Sequence, residues 1–191
     1  IIFRQIAKII PLKPLKLNTN LVRKAYPAME PAPDDVLSLL VKRAEGNPFY
    51  LEELVKSLIG SRYEDFSEVE LRQYLPRSLH LLLQARLDSL SVEARGVALL
   101  AAVVGRVFWE GAVMAAMREA SGTTTILDIS TLNLVDQAKN AFDELTKAEL
   151  AFPRAGGTFT DDQEYIFKHP LLRDVAYSLL PHKYRDRCHE A

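Results

Sequence analysis

Two short stretches of the sequence could contact a ligand. The first is Gly46-Asn47-Pro48, which lies between two stretches of helical character in RAEGNPFYLEEL, residues 43–54. Gly46 suits the left-handed position at which the first helix stops. Pro48 suits the first turn of the next helix, because it has no N–H to satisfy. The corner alone leaves two interpretations open: a well-formed helix–turn–helix junction, or a nucleotide contact in which the proline ring packs on adenine.

The second stretch is FKHPLLRDVAY, in which His169 precedes Pro170. His169 is predicted to follow the second strand of a hairpin and to precede a helix. An imidazole at such a junction can donate a hydrogen bond to a phosphate oxygen, and the N-terminus of the following helix adds positive potential. The competing interpretation is a boundary residue before a proline in the first helical turn. The local sequence by itself favours the boundary.

The remaining residues form no catalytic or metal-binding pattern. No carboxylate is spaced with a histidine for acid–base catalysis, and the sequence has neither a G-x-x-x-x-G-K-[ST] loop nor a strand that ends in an acidic pair for Mg²⁺. His182 and His189 would lie two helical turns apart, too far to share a metal ion without a third ligand. Together with His80, they are predicted to be surface or packing residues.

Composition narrows the class of protein further. The formal net charge of −1 weighs against binding to nucleic acid, which usually requires a basic excess. Cys188 is the one cysteine, so no internal disulfide can form, which fits a reducing compartment and predicts a cytoplasmic protein. No apolar run approaches the about 18 residues that span a bilayer. The chain begins without Met in the strand-like Ile1–Leu12, so we expect a piece of a longer protein.

Hydrophobic periodicity predicts a mainly α fold. In the first part, a short helix is expected within Leu17–Tyr26, a helix opens at Asp34 and Asp35, and the helix after the corner covers about Phe49–Leu58. Residues 61–74 are polar and are predicted to be irregular or weakly helical.

The second part begins at Pro76 with a helix over Ser78–Leu90. Three more helices are predicted, from the cap Ser91 to Gly105, over Phe108–Glu119 and over Val135–Leu150. A hairpin with strands at 151–154 and 164–168 follows, and then a helix over Pro170–Leu180. Gly156-Gly157 is assigned to the geometry of the hairpin turn. This order of elements indicates a winged-helix domain over about Ser91–Leu180. Acids outnumber lysines on the polar side of Val135–Leu150, which makes that helix a poor reader of a DNA groove.

Five blocks occur in a characteristic order: RAEGNPFYLEELVKSL, LPRSLHLLLQARLDSL, EARGVALLAAVVGRVFW, ELTKAELAF and EYIFKHPLLRDVAYSLLPHKYRDRCHEA. Over about Ile9–Ala191, the chain resembles the C-terminal part of the ATPase module of STAND-class (AAA-like) P-loop ATPases. Within that class, the chain most resembles the regulatory ATPases that are fused to class III adenylate/guanylate cyclases, protein kinases or LuxR-type regulators. The resemblance implies the end of an ATPase core at 1–15 and a helical lid subdomain at 16–75. A winged-helix domain with a short β-hairpin wing would follow at 76–180, and a helical-repeat region would start at 181–191.

The resemblance also implies a ligand site. Gly46, Asn47 and Pro48 match the Gly-x-Pro turn of the lid, so Pro48 would touch adenine. His169 matches the winged-helix histidine of the "MHD" motif in related NB-ARC switches, which contacts the β-phosphate of ADP. The triplet here is Lys168-His169-Pro170, without the Asp that orients the histidine in the family. ATP or ADP would be the ligand, with Mg²⁺ supplied by the missing core.

The function that the resemblance implies is the lid and winged-helix segment of a nucleotide-dependent switch ATPase, regulating a linked effector such as a nucleotide cyclase or a transcription regulator. The chain alone is not expected to hydrolyse ATP, because it has no phosphate-binding loop, and it should bind nucleotide weakly or not at all. The implied partners are the upstream ATPase core, an effector domain of the same protein, and further copies in an assembly; DNA and membranes are not expected. Two alternatives remain: a winged-helix DNA-binding regulator, and a protein-interaction scaffold whose nucleotide site has decayed.

Overall fold

The computed structural model describes residues 15–59, 61, 66, 68–121, 134–155, 162–182 and 185. Over these ranges the chain is mainly helical with a three-stranded antiparallel sheet, which confirms the predicted mainly α class. The chain divides between Leu82 and Leu83 into two compact units, and each is described by itself. The predictions for the strand at residues 1–12, for Gly156-Gly157 and for His189 lie outside the described residues. Among the helices described, none has the length and apolarity needed to cross a bilayer.

The first unit is a group of short helices around one apolar core. Its elements are α1 (Thr19–Ala25), a 3₁₀ helix (Pro27–Met29), α2 (Asp34–Ala44), α3 (Pro48–Ile59) and α4 (Glu68–Tyr74). Asn18 caps α1, because its Oδ1 accepts a hydrogen bond from the Leu21 N–H at 2.8 Å. The core is made of fully buried side chains from several of these elements, chiefly Val22, Met29, Leu37, Leu40, Leu54 and Leu58.

Helix α4 is more regular than the sequence indicates. The prediction for residues 61–74 was irregular or weakly helical, whereas Glu68–Tyr74 is an α-helix. Leu71 and Leu75 explain the difference, since both are buried in the core of the first unit. A helix of seven residues gains most of its stability from such packing, and too few apolar positions repeat along it for periodicity to reveal it.

The second unit is built around α6. Its elements are α5 (Leu79–Asp88, which begins in the first unit), α6 (Val92–Val104), β1 (Val107–Trp109), α7 (Glu110–Ser121), α8 (Leu134–Lys147), β2 (Ala151–Arg154), β3 (Glu164–Phe167) and α9 (Pro170–Leu179). Small apolar residues such as Ala94, Ala98 and Ala101 make α6 buried along most of its length. α8 and α9 both pack against α6, as expected for a helix that is apolar all round.

The sheet corrects one prediction. Its strand order is β1-β3-β2, with Val107 and Phe152 both paired to Ile166, so it has three strands where the sequence predicted a two-stranded hairpin. The helix predicted to start at Phe108 starts instead at Glu110, because residues 107–109 pair with β3. Phe108 is fully buried, and its ring lies 5.8 Å from the Tyr165 ring between centroids. This contact favours a strand at a position where local apolar content favours a helix.

Candidate functional site

The Gly46-Asn47-Pro48 corner begins one residue earlier than the sequence indicates. α2 ends at Ala44, and Glu45 already has left-handed backbone angles of φ 50° and ψ 36°. Gly46 follows with φ 78°, which confirms its predicted left-handed conformation. The prediction that the helix stops at Gly46 is wrong, because the left-handed C-cap is Glu45. The Asn47 N–H donates to the Ala44 carbonyl at 2.8 Å, which satisfies one of the carbonyls at the end of α2.

Asn47 fixes the other side of the corner by capping α3. Its Oδ1 accepts a hydrogen bond from the Tyr50 N–H at 3.1 Å, and its carbonyl accepts one from the Leu51 N–H at 3.0 Å. Pro48 is the first residue of α3, where its missing N–H costs no intrahelical hydrogen bond, and it is exposed. The corner is therefore held at both ends while the proline ring faces solvent.

Two side chains that flank the corner meet at one carbonyl. Arg43, in the last turn of α2, donates through Nη1 to the Pro76 carbonyl at 3.2 Å. Tyr50, in the first turn of α3, donates its hydroxyl to the same carbonyl at 2.9 Å. Arg43 also donates to the carbonyls of Leu75 and Arg72, both at 3.4 Å, at the C-terminal end of α4.

The Tyr50 hydroxyl remains a hydrogen-bond donor at neutral pH. Burial raises the pKa of Tyr50, Arg43 opposes this rise, and Glu45 adds to it. The sequence alone placed Tyr50 on the apolar side of α3 and did not single out Arg43. Their positions in the sequence could have indicated both residues. Arginine is favoured in the last turn of a helix, where Arg43 lies. A tyrosine that is buried usually finds a partner for its hydroxyl, and Tyr50 lies on the apolar side of the first turn of α3.

His169 is the N-cap of α9. Its backbone is extended, at φ −141° and ψ 142°, and its Nδ1 accepts a hydrogen bond from the Leu171 N–H at 3.2 Å. The predicted boundary position is confirmed, with Pro170 as the first helical residue. When Nδ1 accepts, a neutral imidazole carries its proton on Nε2, so Nε2 is the donor nitrogen of this half-buried ring.

The predicted site residues therefore fall into two groups. Gly46, Asn47 and Pro48 form one corner of the first unit, and His169 begins a helix of the second unit. In the described part of the chain, no group of three His, Cys, Asp or Glu side chains is arranged to hold a metal ion.

An open recess of about 230 Å³ also lies in the second unit, lined by Ser91, Gln137 and Glu144 among others. The Glu144 carboxylate in this recess is already bonded to Ser91. Glu93 also lines the recess, so its lining carries two carboxylates.

No family model matches the chain, and neither a curated protein nor a solved structure matches it.

Proposed function

We propose that this chain is the lid and winged-helix segment of a nucleotide-dependent switch ATPase that regulates a linked effector, such as a nucleotide cyclase or a transcription regulator. The observation that carries the proposal is the corner at Gly46-Asn47-Pro48. Its proline ring is exposed at the start of α3, while the backbone on both sides is held by hydrogen bonds from Asn47. A rigid corner that presents an apolar ring suits a planar base, because little flexibility is lost on binding.

In this proposal, a nucleoside diphosphate would be held by two groups of residues. Pro48 would pack its ring on the adenine face, and His169 would donate a hydrogen bond from Nε2 to a phosphate oxygen. The N-terminus of α9 adds positive potential beside His169. The phosphate-binding loop and Mg²⁺ would come from an ATPase core that precedes these residues, and the chemistry of hydrolysis would lie in that core.

The second unit supports the assignment through the order of its elements. α6, α7 and α8 precede the β2–β3 hairpin, β1 adds a third strand, and α9 follows. This is the order expected for a winged-helix domain. In the proposed switch, ADP holds lid and winged helix closed, and exchange for ATP loses the His169 contact. The nucleotide acts only through its different affinities for the two states.

A DNA-binding regulator is less well supported. The exposed residues of α8 are of mixed charge, with Asp136 and Asp143 against Lys139 and Lys147. Acids on a recognition helix would face the phosphates of DNA and oppose binding. Retention of duplex DNA at low salt, lost steeply as salt rises, would favour this alternative over the nucleotide switch.

The test is ADP binding by the full-length protein, including the ATPase core that the proposed switch requires. Pro48→Ala should weaken ADP binding about fivefold, if the ring buries about 40 Å² of apolar surface at about 25 cal/mol per Å². Pro27→Ala is the matched control, because Pro27 is also an exposed proline at the start of a helical turn in the first unit. Equal affinities of the two variants, or no ADP binding by the unmodified protein, would contradict the proposal.

A further inference from the structure

Tyr50 connects the corner to a distant part of the chain. Its backbone N–H is held by the Asn47 side chain at 3.1 Å, and its hydroxyl donates to the Pro76 carbonyl at 2.9 Å. The side chain is only 7% exposed, so it has little room to move without moving one of its partners. A displacement of the corner is therefore transmitted to Pro76 through one rigid side chain.

Arg43 provides a second connection from the other side of the corner. It belongs to α2, and its guanidinium donates to the carbonyls of Pro76 at 3.2 Å and of Leu75 at 3.4 Å. Arg43 on α2, before the corner, and Tyr50 on α3, after it, thus bind the same carbonyl. This carbonyl can keep both hydrogen bonds only while α2 and α3 hold their relation at the corner.

The segment that receives these bonds leads directly into α5. Ser78 caps this helix, with its Oγ accepting from the Leu81 N–H at 3.3 Å and its carbonyl from the Leu82 N–H at 3.1 Å. Within α5 the chain passes from the first unit to the second, between Leu82 and Leu83. A shift of Pro76 therefore acts on the start of the helix that joins the two units.

We propose that Arg43 and Tyr50 couple the Gly46-Asn47-Pro48 corner to residues 75–78, so that a ligand held at the corner changes the start of α5. The coupling itself stands on these contacts alone. Its use by a nucleotide rests on the proposed function. Arg43 and Tyr50 are positioning residues, because they act through the Pro76 carbonyl and not on the ligand.

The coupling is tested first without ligand, by amide hydrogen exchange. Asn47→Ala removes the cap of α3, and it should accelerate exchange of the Leu81 and Leu82 amides about threefold, since part of one hydrogen bond is lost at the start of α5. Asn18→Ala is the matched control. Asn18 caps α1 in the same way, by accepting a hydrogen bond from the Leu21 N–H. Its replacement should leave exchange of the Leu81 and Leu82 amides unchanged.

Removing the connection should abolish the transmitted effect. In a Tyr50→Phe/Arg43→Met background, Asn47→Ala should accelerate the Leu81 and Leu82 amides no further. Tyr50→Phe alone keeps the ring and should reduce the effect partly, which provides a milder variant if the double variant does not fold. The coupling is overturned if Asn47→Ala leaves α5 unchanged, if Asn18→Ala acts equally, or if the effect of Asn47→Ala persists in full in these backgrounds.

The second arm adds ADP to the full-length protein. ADP should slow exchange at Leu81 and Leu82 in the unmodified protein, and it should do so less in Tyr50→Phe at equal saturation. Undiminished slowing in Tyr50→Phe would overturn the use of the coupling by the ligand. If the full-length protein did not bind ADP, the proposed function would be contradicted. The coupling would still be tested by the hydrogen-exchange experiment without ligand.

Discussion

The carboxylate of Glu144 accepts hydrogen bonds from both the backbone N–H and the hydroxyl of Ser91, at 2.8 and 2.6 Å. Ser91 is the N-cap of α6, and its Oγ also accepts a hydrogen bond from the Ala94 N–H at 3.2 Å. Glu144 lies on α8, so the pair joins the start of the most buried helix to its neighbour. The negative charge also lies beside a helix N-terminus, where it is stabilised.

Glu144→Ala should lower the free energy of unfolding by about 2 kcal/mol, because two hydrogen bonds to a charged acceptor are lost. Ser91→Ala should cost about 1 kcal/mol as a lost cap. The double variant should cost less than the sum, since both changes remove the Ser91–Glu144 contact. Urea denaturation measures all three, with Lys139→Ala, an exposed position on α8, as the control. A Glu144→Ala variant as stable as Lys139→Ala would contradict the assigned role.

Local signals explain which elements the sequence could predict. Ser91 and Gly105 bound α6, and Pro170 starts α9, because caps and prolines act on their own neighbours. β1 was missed because a strand of three residues shows no alternation, and its pairing of Val107 with Ile166 depends on residues far along the chain. Only the assembled second unit makes residues 107–109 a strand.

At the candidate site too, the sequence predicted local features and missed the contacts between distant residues. The sequence located the Gly46-Asn47-Pro48 corner through the residue types that turns require. It did not indicate the left-handed Glu45, because a charged residue carries no signal for that conformation. It also did not indicate that Arg43 and Tyr50 share the Pro76 carbonyl, since that contact exists only once α4 and the following segment have packed.

Substitutions at Gly111 and Asp162 should have non-additive effects on stability. The Gly111 N–H donates to Asp162 Oδ1 at 2.9 Å in the first turn of α7. A Cβ added at Gly111 would lie 2.7 Å from Asp162 Oδ2, so Gly111→Ala must displace that carboxylate. The loss of its hydrogen bond, about 1 kcal/mol, should offset the better helix propensity of alanine, leaving the net effect near zero.

In an Asp162→Ala background, the same change should stabilise the protein by about 0.5–1 kcal/mol, because only the propensity remains. Thermal and urea unfolding of the four variants give the coupling energy directly. Equal effects of Gly111→Ala in both backgrounds would rule out the steric conflict.

Tyr165 should make stability depend on alkaline pH. Its ring stacks on Phe142 at 4.7 Å between centroids, and burial raises its pKa, with further contributions from Glu110 and Asp143. The folded chain then holds the phenolic proton more tightly than the unfolded chain does. The contribution of Tyr165 is therefore full below the unfolded pKa of about 10 and is lost as pH rises through the folded pKa. Tyr165→Phe should show a smaller fall in stability above about pH 10 in denaturation series, and an unchanged fall would count against the assignment.

His169→Asp separates the capping role of this residue from phosphate binding. Asp is a strong N-cap, so it can still accept the Leu171 N–H, and its charge suits the N-terminus of α9. The free energy of unfolding should stay within about 0.5 kcal/mol of the unmodified protein, whereas His169→Ala should lose about 1 kcal/mol. ADP binding by the full-length protein should weaken about tenfold or more in His169→Asp, because a donor to phosphate is replaced by a like charge. His182→Asp, at an exposed position in the same unit, should change neither the stability nor the ADP affinity.

If His169→Asp bound ADP as tightly as the unmodified protein, the histidine would serve as a helix cap and the phosphate contact would have to be assigned elsewhere.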